Sequence, residues 1–479
     1  MNYRMIGYLL GVILSIEAAL LLLPLLVALI YAEPTMPFLL TALIVAAASV
    51  LLLLLKPKNT SIYAKEGFVC VAGGWILLSL FGALPFVFDG AIPSYIDALF
   101  ETVSGFTTTG ATILTEIEHL HKGILFWRSF THWIGGMGVL VFMLAIVPAD
   151  GRAIHLMRAE VPGPTKGKLV PRMRQTALIL YGIYVFLTLA EVVALYIAGL
   201  PLYDSFVTAF ATTGTGGFAI KNLSIAGYAN PAVEWIVALF MLLSGINFNL
   251  YFFMLIRHFR DVWKSEELRA YVAICSVSVL LVAANIFHIY QNVGDTLRHA
   301  FFQVTSIMST TGFSTVDFNM WPEFSKTILV ILTIIGACAG STAGGLKVSR
   351  TLILLKNIWR ELKHILHPRS VIITRLDGEA LSDETCRTAA NYFSLYALLI
   401  AICTLVLSLD GFDLTTNFTA TLACINNVGP GLGLVGPLGN FSIFSPLSKL
   451  MLTLSMLLGR LEIIPLVILL SPSTWRKRG

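Results

Sequence analysis

Charge is what this sequence lacks. Only 12% of its 479 residues are Asp, Glu, Lys or Arg, whereas 57% are hydrophobic. A soluble globular domain carries about 25% charged residues. Charge is costly in hydrocarbon, so a deficit of this size places most of the chain in a lipid bilayer. Cysteine is scarce as well. The six residues Cys70, Cys275, Cys338, Cys386, Cys403 and Cys424 are scattered without CxxC spacing. They read as small apolar side chains, which excludes a disulfide or zinc framework. Paired carboxylates, a metal-ligating histidine set and a nucleophile beside a base are missing, so no enzyme constellation is present. His119 and His121, with Glu116 and Glu118 beside them, read as a solvated loop rather than a metal site.

Long apolar runs are present instead. Residues 38–55, FLLTALIVAAASVLLLLL, contain no charge, and similar runs lie near 5–30, 67–88, 124–147, 176–199, 232–256, 271–290, 325–363, 391–409 and 447–470. About 20 residues at ~1.5 Å rise cross the hydrocarbon core, so ten spans are expected. The first run is too long for a signal-peptide core, carries Glu17 and lacks an A-x-A site, so it is read as a span. With the N-terminus inside and the loops alternating, 25 of the 32 basic residues fall on the inner side. These include Lys56 and Lys58, the cluster Arg152, Arg158, Lys166, Lys168 and Arg172, the series Lys347, Arg350, Lys356, Arg360 and Lys363, and Arg476, Lys477 and Arg478. This bias puts both termini in the cytoplasm and accounts for the net charge of +5 without nucleic acid. The longest inner segments, near 148–175 and 347–389, are too short for a nucleotide-binding domain, which needs its own βαβ core.

Four segments resemble one another: DALFETVSGFTTTGAT (97–112), YDSFVTAFATTGTGGF (203–218), RHAFFQVTSIMSTTGFS (298–314) and LTTNFTATLACINNVGPG (414–431). Phe100, Phe206, Phe302 and Phe418 align, followed ten residues later by Gly110, Gly216 and Gly312 and eleven later by Gly429. TTGTGG in the second copy also offers a glycine register shifted by two residues. Each copy is about ten helical residues plus a polar turn, too short to span, and lies between two apolar runs. Non-helical backbone at membrane depth needs protein or water to cover it, and four such loops can cover one another around an axis. The runs Thr107, Thr108, Thr109, Gly110; Thr213, Gly214, Thr215, Gly216; Ser309, Thr310, Thr311, Gly312; and Asn426, Asn427, Val428, Gly429 are therefore the expected ion-binding loops. Their carbonyls and hydroxyls can replace the hydration shell of a monovalent cation, and helix C-termini aim a negative dipole end at it.

The stretches FTTTGAT, STTGFST, INNVGPGLG and GACAGSTAGGLKVSR resemble the Trk/Ktr/HKT superfamily of potassium transporters over essentially the whole chain, and the two spans before the first repeat resemble its bacterial TrkH branch. The resemblance implies an all-α polytopic membrane protein. Two N-terminal helices (1–58) precede four span–pore-helix–span units (59–152, 153–262, 263–367, 368–479) around a central pore. It implies K+ as the transported ion with no organic cofactor, and four filter glycines. It also implies a homodimer in the bacterial inner membrane, bound by a cytosolic nucleotide-binding (TrkA-like) ring, with lipid around it.

Two features interrupt the apolar runs. Gly340, Ser341, Thr342, Ala343, Gly344 and Gly345 lack the Gly-Lys-Ser/Thr of a phosphate loop. Small polar residues and glycines leave a helix cheaply, so a broken helix beneath the filter is expected, and the family resemblance supports a gating loop. Arg460 sits in MLLGRLEIIPLVILL, where a cation must be paired or hydrated. Glu462 is two residues away and does not face it on a helix, so Arg460 is expected to face the pore and bond the loop's carbonyls. Glu17 and Glu191 read as packing or interfacial residues. A proton- or sodium-coupled symporter is the alternative, but it calls for a carboxylate or histidine relay across several spans.

Overall fold

A computed structural model describes residues 1–57, 64–138, 173–370 and 372–470. The basic cluster Arg152 to Arg172, Lys58, residues 139–147 of the fourth expected span, Arg476 to Arg478 and the unit boundaries near 58 and 152 lie outside them. The described chain is almost wholly helical. A single two-stranded antiparallel hairpin pairs Arg375–Leu376 with Glu379–Ala380 among the described residues.

The burial pattern is that of a protein in lipid. Large apolar side chains such as Leu26, Leu29, Leu43, Phe186, Val193 and Leu405 face outward, while many serines and threonines are buried. Water-soluble folds show the reverse preference.

Six described helices are long and apolar enough to cross a membrane, or seven if the pair Pro231–Ser244 and Phe248–Leu255, bent by 90°, counts as one span. The other three expected runs hold shorter helices, of which Lys122–Gly136 begins the run at 124–147. The runs at 325–363 and 447–470 are each split into two shorter helices, Glu323–Ile335 with Val348–Leu366 and Pro446–Arg460 with Ile464–Leu470.

Tyr3–Leu20, Leu22–Ile30 and Met36–Leu53 form an N-terminal hairpin. Gly11 lets the backbones approach, and its carbonyl accepts from the Ser49 hydroxyl at 2.8 Å. Behind it come four repeated units. Their entry helices are Ala64–Gly82 (continued by Leu84–Asp89), Met173–Ile197, Glu266–Tyr290 and Asp383–Leu407. Their short helices are Tyr95–Phe106, Leu202–Thr213, Val293–Met308 and Leu414–Ile425. Their exit helices begin Lys122–Gly136, Pro231–Ser244, Glu323–Ile335 and Pro446–Arg460.

Local chemistry sets these boundaries. Each entry segment is followed by a left-handed residue, Gly90, Gly199, Gln291 or Gly411, which turns the chain back. Three short helices have side-chain N-caps: Ser94 accepts from the Asp97 N–H, Asn292 from Gly294 and Asp413 from Thr416. Packing closes the ring. Each exit helix lies against the next unit's short helix: Lys122–Gly136 on Leu202–Thr213, Pro231–Ser244 on Val293–Met308, Glu323–Ile335 on Leu414–Ile425, and Pro446–Arg460 on Tyr95–Phe106.

Candidate functional site: four loops and the segment beneath them

All four short helices end in the same way. The C-cap residues are Thr107, Gly214, Ser309 and Asn426. The next residues, Thr108, Thr215, Thr310 and Asn427, are left-handed with φ of 55°, 56°, 56° and 55°. Their N–H groups reach back to Gly105, Thr212, Ile307 and Cys424, and the following N–H groups bond Ser104, Ala211, Ser306 and Ala423. This is a Schellman ending, built here with threonine and asparagine where glycine is usual. A β-branched residue at positive φ is strained, by about 1–3 kcal/mol where surroundings hold it.

The glycines follow two residues after the left-handed ones. Gly110, Gly217, Gly312 and Gly429 have φ of 78°, 79°, 82° and 97°. The second loop's register is thereby corrected. Its counterpart of Gly110 is Gly217, one residue beyond Gly216, and Thr213 is still the last helical residue. Phe206 misleads the alignment. Counted back from the helix ends, the partner of Phe100 is Val207, which is buried where Phe206 is half-exposed.

These glycines join the loops into a closed ring. A Cβ added at Gly110 would lie 2.0 Å from the carbonyl oxygen of Gly216. One at Gly217 would lie 1.9 Å from that of Thr311, one at Gly312 2.0 Å from that of Val428, and one at Gly429 2.7 Å from that of Thr109. Each loop thus abuts the carbonyl one residue before the next loop's glycine, and the fourth returns to the first. Thr109, Thr311 and Val428 are buried. No N–H or O–H among the described residues donates to the carbonyls of Thr109, Gly216, Thr311 or Val428. Side chains stiffen the ring from behind. The hydroxyls of Thr107 and Thr109 bond at 2.8 Å, as do those of Ser309 and Thr311, and Asn427 Nδ2 donates to Thr109 Oγ1 at 2.9 Å.

Two buried supports were not visible in the sequence. Arg128 Nε donates to Glu101 Oε1 at 2.6 Å, and Arg128 Nη1 to the Ala219 carbonyl at 2.9 Å. Glu101 also accepts from Thr112 Oγ1 and the Ile113 N–H. One ion pair therefore ties the first short helix, the first exit helix and the non-helical segments after two loops. His132 links the Gly105 carbonyl, 2.7 Å from Nδ1, to the Phe218 N–H, 3.2 Å from Nε2. An amide can only donate, so Nε2 is the acceptor and Nδ1 carries the proton.

The third exit helix is broken, as expected, but over a longer stretch than 340–345. Helix stops at Gly336, with φ 68°, and resumes at Val348. The Gly344 N–H donates to Thr310 Oγ1 at 2.7 Å, and a Cβ on Gly344 would lie 2.3 Å from the Asn426 carbonyl oxygen. The segment therefore packs on the helix side of the third and fourth loops. Its other flank rests on the bend of the second exit segment. Thr342 Oγ1 donates to the Ser244 carbonyl, Cys338 N–H to Gly245, and Phe248 N–H to the Gly340 carbonyl. Ser341 bonds Cys338, and Ala343 accepts from Lys347 Nζ.

Arg460 ends the fourth exit helix. Its Nη1 donates to the Thr342 carbonyl at 2.7 Å, and Nη2 donates to the carbonyls of Gly135 and Gly136. Bonding to the glycine segment was expected; the grip on the end of the first exit helix was not. Glu462 pairs with Arg350 instead. Glu17 and Glu191 are both buried rather than interfacial. His121 lies 2.9 Å from Asp89, and His119 is 84% exposed.

Residues 36–477 match the family model of TrkH, a cation transport protein. The chain is 38% identical over 485 residues, covering all of both chains, to the Trk system potassium uptake protein TrkH of Salmonella typhimurium, and equally to that of Escherichia coli K12. It is 34% identical over 426 residues to Trk system potassium uptake protein TrkG of Escherichia coli, covering 88% of this chain and 87% of that one. The crystal structure of the potassium transporter TrkH from Vibrio parahaemolyticus superposes with a TM-score of 0.89 at 35% identity, covering 99% of this chain and 100% of that one. On this agreement of sequence and fold, the chain belongs to the TrkH family and is a membrane transport protein rather than an enzyme.

Proposed function

We propose that the chain is the potassium-conducting subunit of a Trk-type uptake system. The closed ring of glycine-to-carbonyl contacts carries this reading. Buried carbonyls without donors cost free energy, and a dehydrated cation bound among them recovers it. Carbonyls supply partial charges, which hold a monovalent ion without trapping it. The filter residues are Thr107, Thr108, Thr109, Gly110, Gly214, Thr215, Gly216, Gly217, Ser309, Thr310, Thr311, Gly312, Asn426, Asn427, Val428 and Gly429.

The segment 336–347, containing Gly340, Ser341, Thr342, Ala343, Gly344 and Gly345, is the gate in this proposal, and Arg460 holds it shut. The relatives' names, Trk system potassium uptake protein, support K+ as cargo and support assembly with other components of such a system. We place the protein in a bacterial inner membrane with both termini in the cytoplasm. It works as a homodimer whose inner face takes a cytosolic nucleotide-binding subunit.

Purified protein in liposomes tests the reading, with K+ and proton gradients imposed separately. Flux that follows the K+ gradient and voltage alone supports a pore. K+ movement against its own gradient, driven by protons or sodium, would establish the coupled alternative.

A further inference from the structure

In the broken third exit segment, a single oxygen atom holds one amide inside the non-helical stretch and one in the first turn of the helix that follows. Ala339 lies within the segment after Glu323–Ile335, and Ser349 lies in the first turn of Val348–Leu366. The N–H of Ala339 donates to Glu267 Oε1 at 2.7 Å, and the N–H of Ser349 donates to the same oxygen at 3.1 Å. Residues 340–345 lie between these two amides, so the carboxylate closes the segment at its neck. Glu267 is buried, at 9% exposure, and the first turn of a helix is where a carboxylate is favoured.

Glu267 belongs to the third entry helix, not to the exit segment it grips. The residue before it is tied to the inner face. The Glu266 N–H donates to Asp377 Oδ1 at 2.7 Å, on the turn of the small hairpin. Lys356 Nζ bonds Glu266 and also the Arg375 carbonyl at 2.8 Å.

We infer that Glu267 is a positioning residue for the gate: its carboxylate fixes both ends of the segment 339–349 and so holds the loop beneath the filter in its closed shape. The inference rests on the gate reading above. Arg460 restrains the loop at Thr342, near the tip; Glu267 restrains it at the base. Removing the base contact leaves two amides with no buried acceptor, a state the closed loop tolerates worse than an open, hydrated one.

The test is K+ uptake into liposomes by wild type and the variants E267A, E267Q and R460A at equal amounts of monodisperse protein. E267A is expected to raise flux at least tenfold, the least population shift that unpairing two buried amides brings. E267Q is expected to stay near wild type, because its amide oxygen can accept both bonds. Rescue by the conservative variant separates an acceptor's role from loss of packing or fold. In hydrogen exchange of the full chain, the amides of Ala339 and Ser349 should exchange faster in E267A and not in E267Q. If R460A raises flux and E267A does not, the inference is overturned and the gate stands. If neither variant raises flux, the gate reading itself fails. Should E267A not remain monodisperse, E267D withdraws the oxygen by one methylene; raised flux supports the inference and wild-type flux overturns it.

Discussion

The four ring glycines should not be equally sensitive to alanine. Their geometry ranks them. A Cβ at Gly110, Gly217 or Gly312 would lie 1.9–2.0 Å from the next loop's carbonyl oxygen, whereas at Gly429 the nearest atom is 2.7 Å away. Real Cβ atoms keep to 3.0 Å or more, so the first three substitutions must move the neighbouring carbonyl by about 1 Å and the fourth by about 0.3 Å, given the steepness of atomic repulsion. All four add a cost of about 1–2 kcal/mol for a side chain at positive φ. A carbonyl displaced by about 1 Å alters both the size and the field strength of the ion site on one side. Discrimination of potassium over sodium should fall at least tenfold, ~1.4 kcal/mol, in G110A, G217A and G312A. It should fall less in G429A. G216A differs in kind: its Cβ would strike the His132 ring at 2.2 Å rather than a loop carbonyl, and because Gly216 itself carries a ring carbonyl it should lower yield and thermal stability as well as selectivity. The assay is the reversal potential of reconstituted protein with potassium on one side and sodium on the other. Unchanged selectivity in all four variants, or G429A as the most severe, would refute the ring argument.

R460A should raise potassium flux with little change in selectivity, since the filter lies above it; the double variant with several loop residues deleted should gain less than the sum of the singles, because groups in contact are not additive. E101A leaves the buried guanidinium of Arg128 unpaired, which costs about 3–5 kcal/mol; the thermal midpoint in detergent should drop sharply. Asp413 caps the fourth short helix, and hydrogen bonds from the Thr416 hydroxyl and N–H hold its carboxyl below the usual range. Its contribution is present above the carboxylate's ordinary pKa and is lost as pH falls through the lowered value, so D413N should show a weaker acid dependence of the thermal midpoint than wild type. Nucleotides should leave the flux of the isolated chain in lipid unaltered, because any such response resides in a separate cytosolic subunit; a direct response would refute that assignment.

Sequence made the architecture legible because lipid constrains it so strongly. Apolar runs and fourfold similarity are local patterns, and helical spans that cover four short loops follow from backbone satisfaction in hydrocarbon. The register of the second loop was not legible from spacing. Gly214, Gly216 and Gly217 compete there, and the helix ends one residue later relative to Phe206 than the first does relative to Phe100. Only the positive φ of Thr215 and Gly217 decides it. Arg460 was legible in kind, since a cation in an apolar run must find acceptors. Its partners were not all legible: Thr342 lies 118 residues away, and Gly135 and Gly136 more than 300. The same holds for Glu101 with Arg128 and for Glu267 with Ala339 and Ser349. A glutamate at a helix start reads as an ordinary first-turn acid until the chain that it faces is known.

The breaks in the exit segments belong to one construction. Helix ends at Gly136 in the first, at Ser244 before the 90° bend in the second, at Ile335 in the third and at Arg460 in the fourth. Each broken end exposes carbonyls that a continuous helix would have used internally. The Gly135 and Gly136 carbonyls go to Arg460, the Ser244 and Gly245 carbonyls to Thr342 and Cys338, and the Ile334 and Ile335 carbonyls to the amides of Leu346 and Lys347. The freed backbone of three units is thus satisfied by the glycine segment or by the arginine that grips it. Three intact exit helices would present no such carbonyls, and a loop at this depth would have few partners. Moving the segment aside therefore unpairs carbonyls in several units together, so opening should be a concerted event rather than the swing of one free loop. Water entering the same space can pair those carbonyls again, which keeps the open state within reach. Thr342 is a poor probe in a double-mutant cycle on flux, since its carbonyl accepts from Arg460 while its hydroxyl donates to the Ser244 carbonyl, so one substitution there disturbs two breaks at once. The informative pair is Arg460→Ala with Ser244→Pro, which strains the second break. If the two gains multiply independently, the breaks act separately and the concerted account fails.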